Sequence, residues 1–215
     1  MPGHRDFGKS LPCPTCHDYL RHSRLNDEER KLTLAGIVGA GSAATLRTLG
    51  ELILASPWGF SVVWGGTGTA KSHLLMALVG SLCRRGVQAV YYHAVDLQSG
   101  LYRDMSDDSN NLEHYRRVPV LAIDELDKFR FTDWSRSQLQ GLLDHRYREA
   151  IARRQITLFS MNKDPAGMDD GKYWLPEDIL SRFSDGRFNR CAPEGQLIPG
   201  VHHALGADMR PFMQR

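Results

Sequence analysis

GGTGTAKS, residues 65–72, follows the apolar run FSVVW and precedes SHLLMALVGSL, whose apolar residues recur at helical spacing. A strand, a glycine-rich turn and a helix in that order make a phosphate-binding loop. The backbone N–H groups of the turn converge on anionic oxygens, and the helix N-terminus lies behind them. Gly65, Gly66 and Gly68 supply the freedom to bend, and Thr67, Thr69 and Ala70 complete the nucleotide-binding set. Lys71 is placed to reach the β- and γ-phosphates and Ser72 to hold Mg²⁺. The pattern G-x-x-x-x-G-K-[ST] is met except at Ala70. If that position needs a positive φ, one methyl group costs about 1 kcal/mol or somewhat more, which weakens the loop without destroying it. The competing reading is a glycine-rich turn with a chance Lys-Ser, and the strand–turn–helix context speaks against it.

A second signal is independent of the first. VPVLAIDEL, residues 118–126, is an apolar strand that ends in Asp124 and Glu125. A phosphate-loop enzyme needs a carboxylate on a neighbouring strand to hold Mg²⁺, commonly through water, and Asp124 fits. Glu125 is placed to polarise an attacking water. Alone, such a strand end is weak evidence. About 50 residues after the loop, with one βα unit between, it is specific.

The remaining chain fits one substantial domain with a small appendage. It has 215 residues, 41% hydrophobic and 24% charged, as in a soluble globular protein. No run of 18 apolar residues predicts a membrane span, the polar start is not a secretion signal, and four cysteines do not make a disulfide framework. A cytoplasmic setting is expected. Net charge is only +2, yet 21 of the 27 basic residues are arginine. That bias suits phosphate contact, and a high-GC genome produces it equally well. Strand patterns at GFSVVWGG, VQAVYYHAV, VPVLAIDEL and QITLFSMN, with RFNRCAP as a candidate fifth, alternate with helical ones. The alternation predicts an α/β fold with a parallel sheet and ligands beyond the carboxyl ends of its strands. Residues 26–57 read as a helical N-terminal segment, 58–194 as the core, and 195–215 as a tail of little signal.

GGTGTAKSHLL and VLAIDELDKF, together with LLDHRYREA, QITLFSMN and ILSRFSDGRF, resemble the AAA+ ATPases. Within them the likeness is to the group of DnaC-type helicase loaders, IstB-type transposition helpers and the DnaA initiator. It covers residues from about 50 to 190. It implies a three-layer P-loop NTPase with a central parallel sheet, ATP and Mg²⁺ as cofactors, and hydrolysis at subunit interfaces of a homo-oligomer. Asn162 takes the sensor 1 position and Arg182 the position of an arginine finger that completes a neighbour's site. The chain stops soon after residue 190, so a reduced or absent lid is expected. The implied partners are single-stranded DNA and a replicative helicase, or a transposase, in DNA replication or transposition, and no membrane.

Other readings stay open. Residues 1–25 resemble the cysteine-bearing leader of some loaders; Cys13 and Cys16 have zinc-knuckle spacing with histidines nearby, against a metal-free segment that docks on a partner. Tyr102, Arg103, Arg116, Arg117 and KFRFTDW, residues 128–134, have the basic and aromatic character of a single-strand groove, or are solvated loop residues. Asn162 also reads as a strand-end turn residue and Arg182 as a surface helix arginine. A small-molecule P-loop kinase and a non-hydrolysing ATP-binding module are the rival functions.

Overall fold

The four apolar runs form the strands they predict. In the computed structural model, which describes residues 19–39, 42–55, 59–106, 109–169, 172–184 and 201–204, they are β1 (Gly59–Trp64), β2 (Ala89–His93), β3 (Val120–Asp124) and β4 (Ile156–Met161). All pair in parallel. Side chains alternate between two cores, as a strand's period of two requires. Val63, Tyr91, Ala122 and Leu158 face one core, which they share with α1 (Ser42–Ala55) and α2 (Lys71–Arg84). Phe60, Val62, Leu121, Ile123 and Phe159 face the other. That second core takes in α3 (Ala94–Ser106), α4 (Asn111–Arg117), α5 (Asp133–Arg153) and α6 (Glu177–Ser184). The fold is therefore α/β, with a central parallel sheet covered on both faces, as expected.

Two expectations change. LNDEERKLTLAGI is not a continuous helix: it makes two 3-10 turns, Glu29–Lys31 and Leu34–Gly36. The cap signal is real, since Asn26 Oδ1 accepts from the N–H groups of Glu28 and Glu29. The chain then turns extended at Leu32 and Thr33, and the Thr33 side chain caps the second turn instead. Buried Leu25 and Ile37 pin the segment to the α1–α2 core, so tertiary contact overrides local propensity. The tail is the second change. After a short hairpin of β5 (Met168–Asp169) and β6 (Lys172–Tyr173), β7 (Val201–His203) pairs in parallel with β1. The sheet order is β2-β3-β4-β1-β7. RFNRCAP lies outside the described residues.

This order puts β4 between the loop-bearing strand and the acidic strand. The carboxyl ends of β1, β3 and β4 meet at one edge of the sheet, with Trp64 opposite Met161 and Ile123 opposite Phe159.

The opposite edge is held by Arg146 on α5, which is 0% exposed. A guanidinium has five N–H bonds, and here each has an acceptor. Nε donates to Thr157 Oγ1 at 2.8 Å, and Nη1 to the carbonyls of Tyr115 and Val118, both at 2.8 Å. Nη2 donates to the carbonyls of Ile156 at 2.6 Å and Pro119 at 3.5 Å. Burial lowers its pKa, and the full set of acceptors compensates the charge. Arg146→Met should cost at least about 3 kcal/mol in urea unfolding, because it orphans several buried carbonyls. Arg146→Lys should recover only a minor part, since an ammonium cannot reproduce the planar fork.

Candidate nucleotide-binding site

β1 ends at Trp64, and the chain folds back over residues 65–70 before α2 begins at Lys71. Gly65 has φ +144°, and a Cβ there would lie 2.3 Å from the Ala204 carbonyl oxygen, so no other residue fits. Ala70 caps α2 in the left-handed region, φ 64°, ψ 17°. The loop therefore does need a positive φ where its pattern wants glycine. Alanine adopts it at a cost of roughly 1–2 kcal/mol.

Lys71 is buried at the centre of the loop. Its Nζ donates to the carbonyls of Gly65 (2.8 Å) and Gly66 (2.7 Å) and to Thr69 Oγ1 (3.3 Å), while Thr69 Oγ1 donates to Gly66 O (2.9 Å). Burial lowers the pKa of the ammonium, and the charges of Asp124, Asp127 and Glu125 oppose that shift.

The acidic strand end is held just as closely. Asp124 is 0% exposed. The Tyr91 hydroxyl on β2 donates to its Oδ2, and the Ser160 hydroxyl on β4 donates to its Oδ1. His93 Nδ1 lies 3.8 Å from Oδ2. Burial and the neighbouring Asp124 charge push the Tyr91 phenol far up, so it remains a donor. Glu125 sits in the left-handed region, φ 54°, ψ 51°, with its N–H donating to Ser160 Oγ at 3.1 Å. Asn162 is tied to Asp127, whose carboxylate accepts from Asn162 N (2.8 Å) and Nδ2 (3.3 Å). Asp127, Tyr91 and Ser160 were not singled out from the sequence. Only the density of acids in IDELD hinted at the first of them.

A cavity of about 230 Å³ lies between these two walls. Thr67, Gly68, Thr69, Ala70, Lys71, Ser72 and His73 line one side, and Glu125, Ser160 and Asn162 the other. Asp124 lies behind the lining. Arg182 is on α6, away from this cavity. Its Nε and Nη2 pair with Asp144 Oδ1 at 2.8 and 2.6 Å, and its guanidinium lies over Tyr147 at 4.8 Å. Cys13 and Cys16 lie outside the described residues. Among the described residues, no cluster of three or more His, Cys, Asp or Glu side chains could hold a metal ion by itself. No described helix is long and apolar enough to cross a membrane.

The residues fit a Mg²⁺-bound nucleoside triphosphate. An ammonium and the N-terminus of a 14-residue helix face the cavity, which suits phosphate oxygens. The other donors lining it are hard oxygens, from Ser72 and Glu125, with the Asp124 carboxylate directly behind them, and these suit Mg²⁺. A second cavity of about 350 Å³ adjoins the first, lined by Glu28, Lys31, Leu32, Thr33, Ala35, Gly36 and His73. His73 lies between the two, 7% exposed, with Nε2 at 2.9 Å from the Thr33 carbonyl.

The model of the IstB-like ATP binding protein family matches residues 45–158, a span that runs from α1 through the loop and the acidic strand to β4. The chain belongs to this family. Among curated proteins, it is 34% identical over 89 residues to the uncharacterized protein YqaM of Bacillus subtilis (strain 168). That match takes in 39% of this chain and 28% of YqaM. Solved structures share the fold. DnaA bound to AMPPCP and single-stranded DNA matches with a TM-score of 0.62 and 20% identity, over 84% of this chain and 50% of that one. The DnaC helicase loader matches with a TM-score of 0.56 and 19% identity, over 73% of this chain and 89% of that one. The chain thus spans under a third of YqaM and about half of the DnaA chain. The fold is like that of the AAA+ P-loop proteins, and the family is an ATP-binding one.

Two outcomes test the local physics. Ala70→Gly removes the left-handed penalty but adds roughly 0.4–1 kcal/mol of unfolded-chain entropy, so stability should hold or rise by up to about 1.6 kcal/mol. Ala70→Val should lose stability, and thermal melting checks both. Burial lowers the His73 pKa from its ordinary 6.5, against the bond to Thr33, so the folded chain favours the neutral ring. The unfolded chain then binds more protons below about pH 6.5, and stability is lost as the pH falls from there toward the folded pKa. The drop in Tm between about pH 7 and 5 should be shallower in His73→Gln.

Proposed function

We propose that the chain is an ATP-hydrolysing switch of the helicase-loader type that acts on single-stranded DNA in replication. The observation that carries the reading is the convergence of Lys71, Ser72, Glu125 and Asn162 on one cavity from three different strand ends. Mg²⁺, when bound, offsets the charge of the phosphates. The chain's own residues do the rest. Lys71 exchanges loop carbonyls for phosphate oxygens, and the backbone N–H groups of 66–71 orient the anion. Glu125 takes the place of the group that orients and polarises water, and Asn162, fixed by Asp127, bonds the water or the terminal phosphoryl oxygen. Arg182 would act on a neighbouring copy, held ready by Asp144, so turnover requires assembly.

DNA contact is assigned to the face where α3 meets the segment after β3. Tyr102 is 44% exposed and stacks on Trp134 with ring centroids 4.3 Å apart. Gln98 exchanges two hydrogen bonds with the backbone of Arg130, whose side chain is exposed. An aromatic ring beside a cation suits a sequence-tolerant single strand. The match to the IstB-like family favours one second reading, in which the partner is a transposase rather than a hexameric helicase.

ATP hydrolysis by purified protein, measured with and without single-stranded DNA over a range of protein concentrations, tests this. Turnover should rise more steeply than concentration and respond to DNA. Lys71→Ala should abolish nucleotide binding, and Glu125→Gln should bind normally but lose at least about 100-fold in turnover. Arg182→Ala should bind ATP and lose the concentration-dependent part. Tyr102→Ala should weaken DNA binding by roughly tenfold or more, leaving ATP binding intact. Tight ATP binding with no turnover in the presence of DNA and partner would favour a non-hydrolysing module, and turnover by a monomer on a metabolite would favour a kinase.

A further inference from the structure

We infer that Tyr91 and Ser160 are positioning residues that preset the acidic, Mg²⁺-facing side of the site, and that Ser160 locks the two acids together. The inference rests on the nucleotide-binding reading above and goes beyond it in naming what orients the acids.

Asp124 is buried at the end of β3, with β2 on one side and β4 on the other. Each flanking strand contributes one hydroxyl to it, Tyr91 to Oδ2 and Ser160 to Oδ1. An ionised carboxylate has about four lone-pair directions, so two donors fix its plane and leave a lone pair on each oxygen for metal-bound water. Hydrogen bonds to a charged acceptor are also the strong ones, which makes this clamp stiff.

Ser160 has a second contact. A hydroxyl donates once and accepts as well. While its proton goes to Asp124, its oxygen accepts the N–H of Glu125 at 3.1 Å. Glu125 is in the left-handed region, where a non-glycine residue persists only if its surroundings hold it. Ser160 is that holding group. The orientation of the acid for the metal and the backbone of the acid for the water are set by one oxygen atom, on a residue that is 1% exposed and lines the cavity. Tyr91 is anchored from outside the sheet: its N–H donates to the Ser23 carbonyl at 2.9 Å, and its ring packs edge-on to His93 with centroids 5.3 Å apart.

A purely structural role for these hydroxyls would change stability alone. A positioning role changes the Mg²⁺ requirement. The experiment titrates Mg²⁺ against binding of a fluorescent ATP analogue, with an EDTA arm, for the full chain and for Tyr91→Phe, Ser160→Ala and Ser160→Thr, alongside kcat and KM. Tyr91→Phe and Ser160→Ala should each raise the Mg²⁺ concentration for half-maximal binding by about tenfold, the worth of one hydrogen bond to a charged group, with affinity in EDTA unchanged. Ser160→Ala should also lower kcat by a further factor of about ten or more, because it releases Glu125, and Ser160→Thr should restore both. Tyr91→Phe keeps the ring and its packing, so it carries the test if Ser160→Ala does not fold. Wild-type Mg²⁺ dependence in folded Tyr91→Phe and Ser160→Ala overturns the proposal. Nucleotide binding by the wild type that ignores Mg²⁺ altogether overturns the reading beneath it, and the two failures are told apart by which protein shows them.

Discussion

Register is the constraint on which the site depends, and Arg146 is where it is set. Its guanidinium takes carbonyls from the entry to β3 and from the start of β4, so the two strands begin at fixed heights. Four residue steps further on, at about 3.3 Å each, β3 delivers Asp124 to the carboxyl edge of the sheet. A slip of one residue would turn Asp124 and Ser160 to the opposite faces. The acidic wall is thus positioned from the far end of the sheet, by a residue that never touches it.

The cavity concentrates backbone strain. Ala70 and Glu125, facing each other from its two walls, are both non-glycine residues at positive φ. Each is over-determined by neighbours: Ala70 by the helix it starts, Glu125 by Ser160. The strain is the counterpart of preorganisation, since the loop and the acidic turn are held in shapes the chain would otherwise leave. Alanine in place of the usual glycine therefore adds cost without changing the shape. The departure that stood out most in the sequence proves to be a matter of stability more than of geometry.

The phosphate loop and the acidic strand were legible because their signals are local, set by glycines, a Lys-Ser pair and an apolar run ending in acids. What was hidden depends on which strands become neighbours. Tyr91 and Ser160 reach Asp124 from 33 and 36 residues away, and Asp127 reaches Asn162 from 35. No spacing rule encodes such meetings before the order β2-β3-β4 is known. The stretch at 26–37 misled for the opposite reason: its cap chemistry is correct, but burial of Leu25 and Ile37 outweighs a helix that would have run past them. Val201–His203 is too short to show any period. Arg182 illustrates a limit of motif reading, since its partners in the fold, Asp144 and Tyr147, are as good an account of an arginine there as a distant phosphate.

β7 ties the two ends of the fold together. The Ala204 N–H donates to the Trp64 carbonyl at 2.7 Å, and the Ala204 carbonyl occupies the space where a side chain on Gly65 would go. The first residue of the phosphate loop thus packs against a segment that lies 139 positions later in the chain. During synthesis, the loop, the acidic strand and β4 all emerge before the piece that backs them. The packing against Gly65 forms only when β7 has left the ribosome, so a nascent chain carries its phosphate-loop motif well before the segment that backs its first residue.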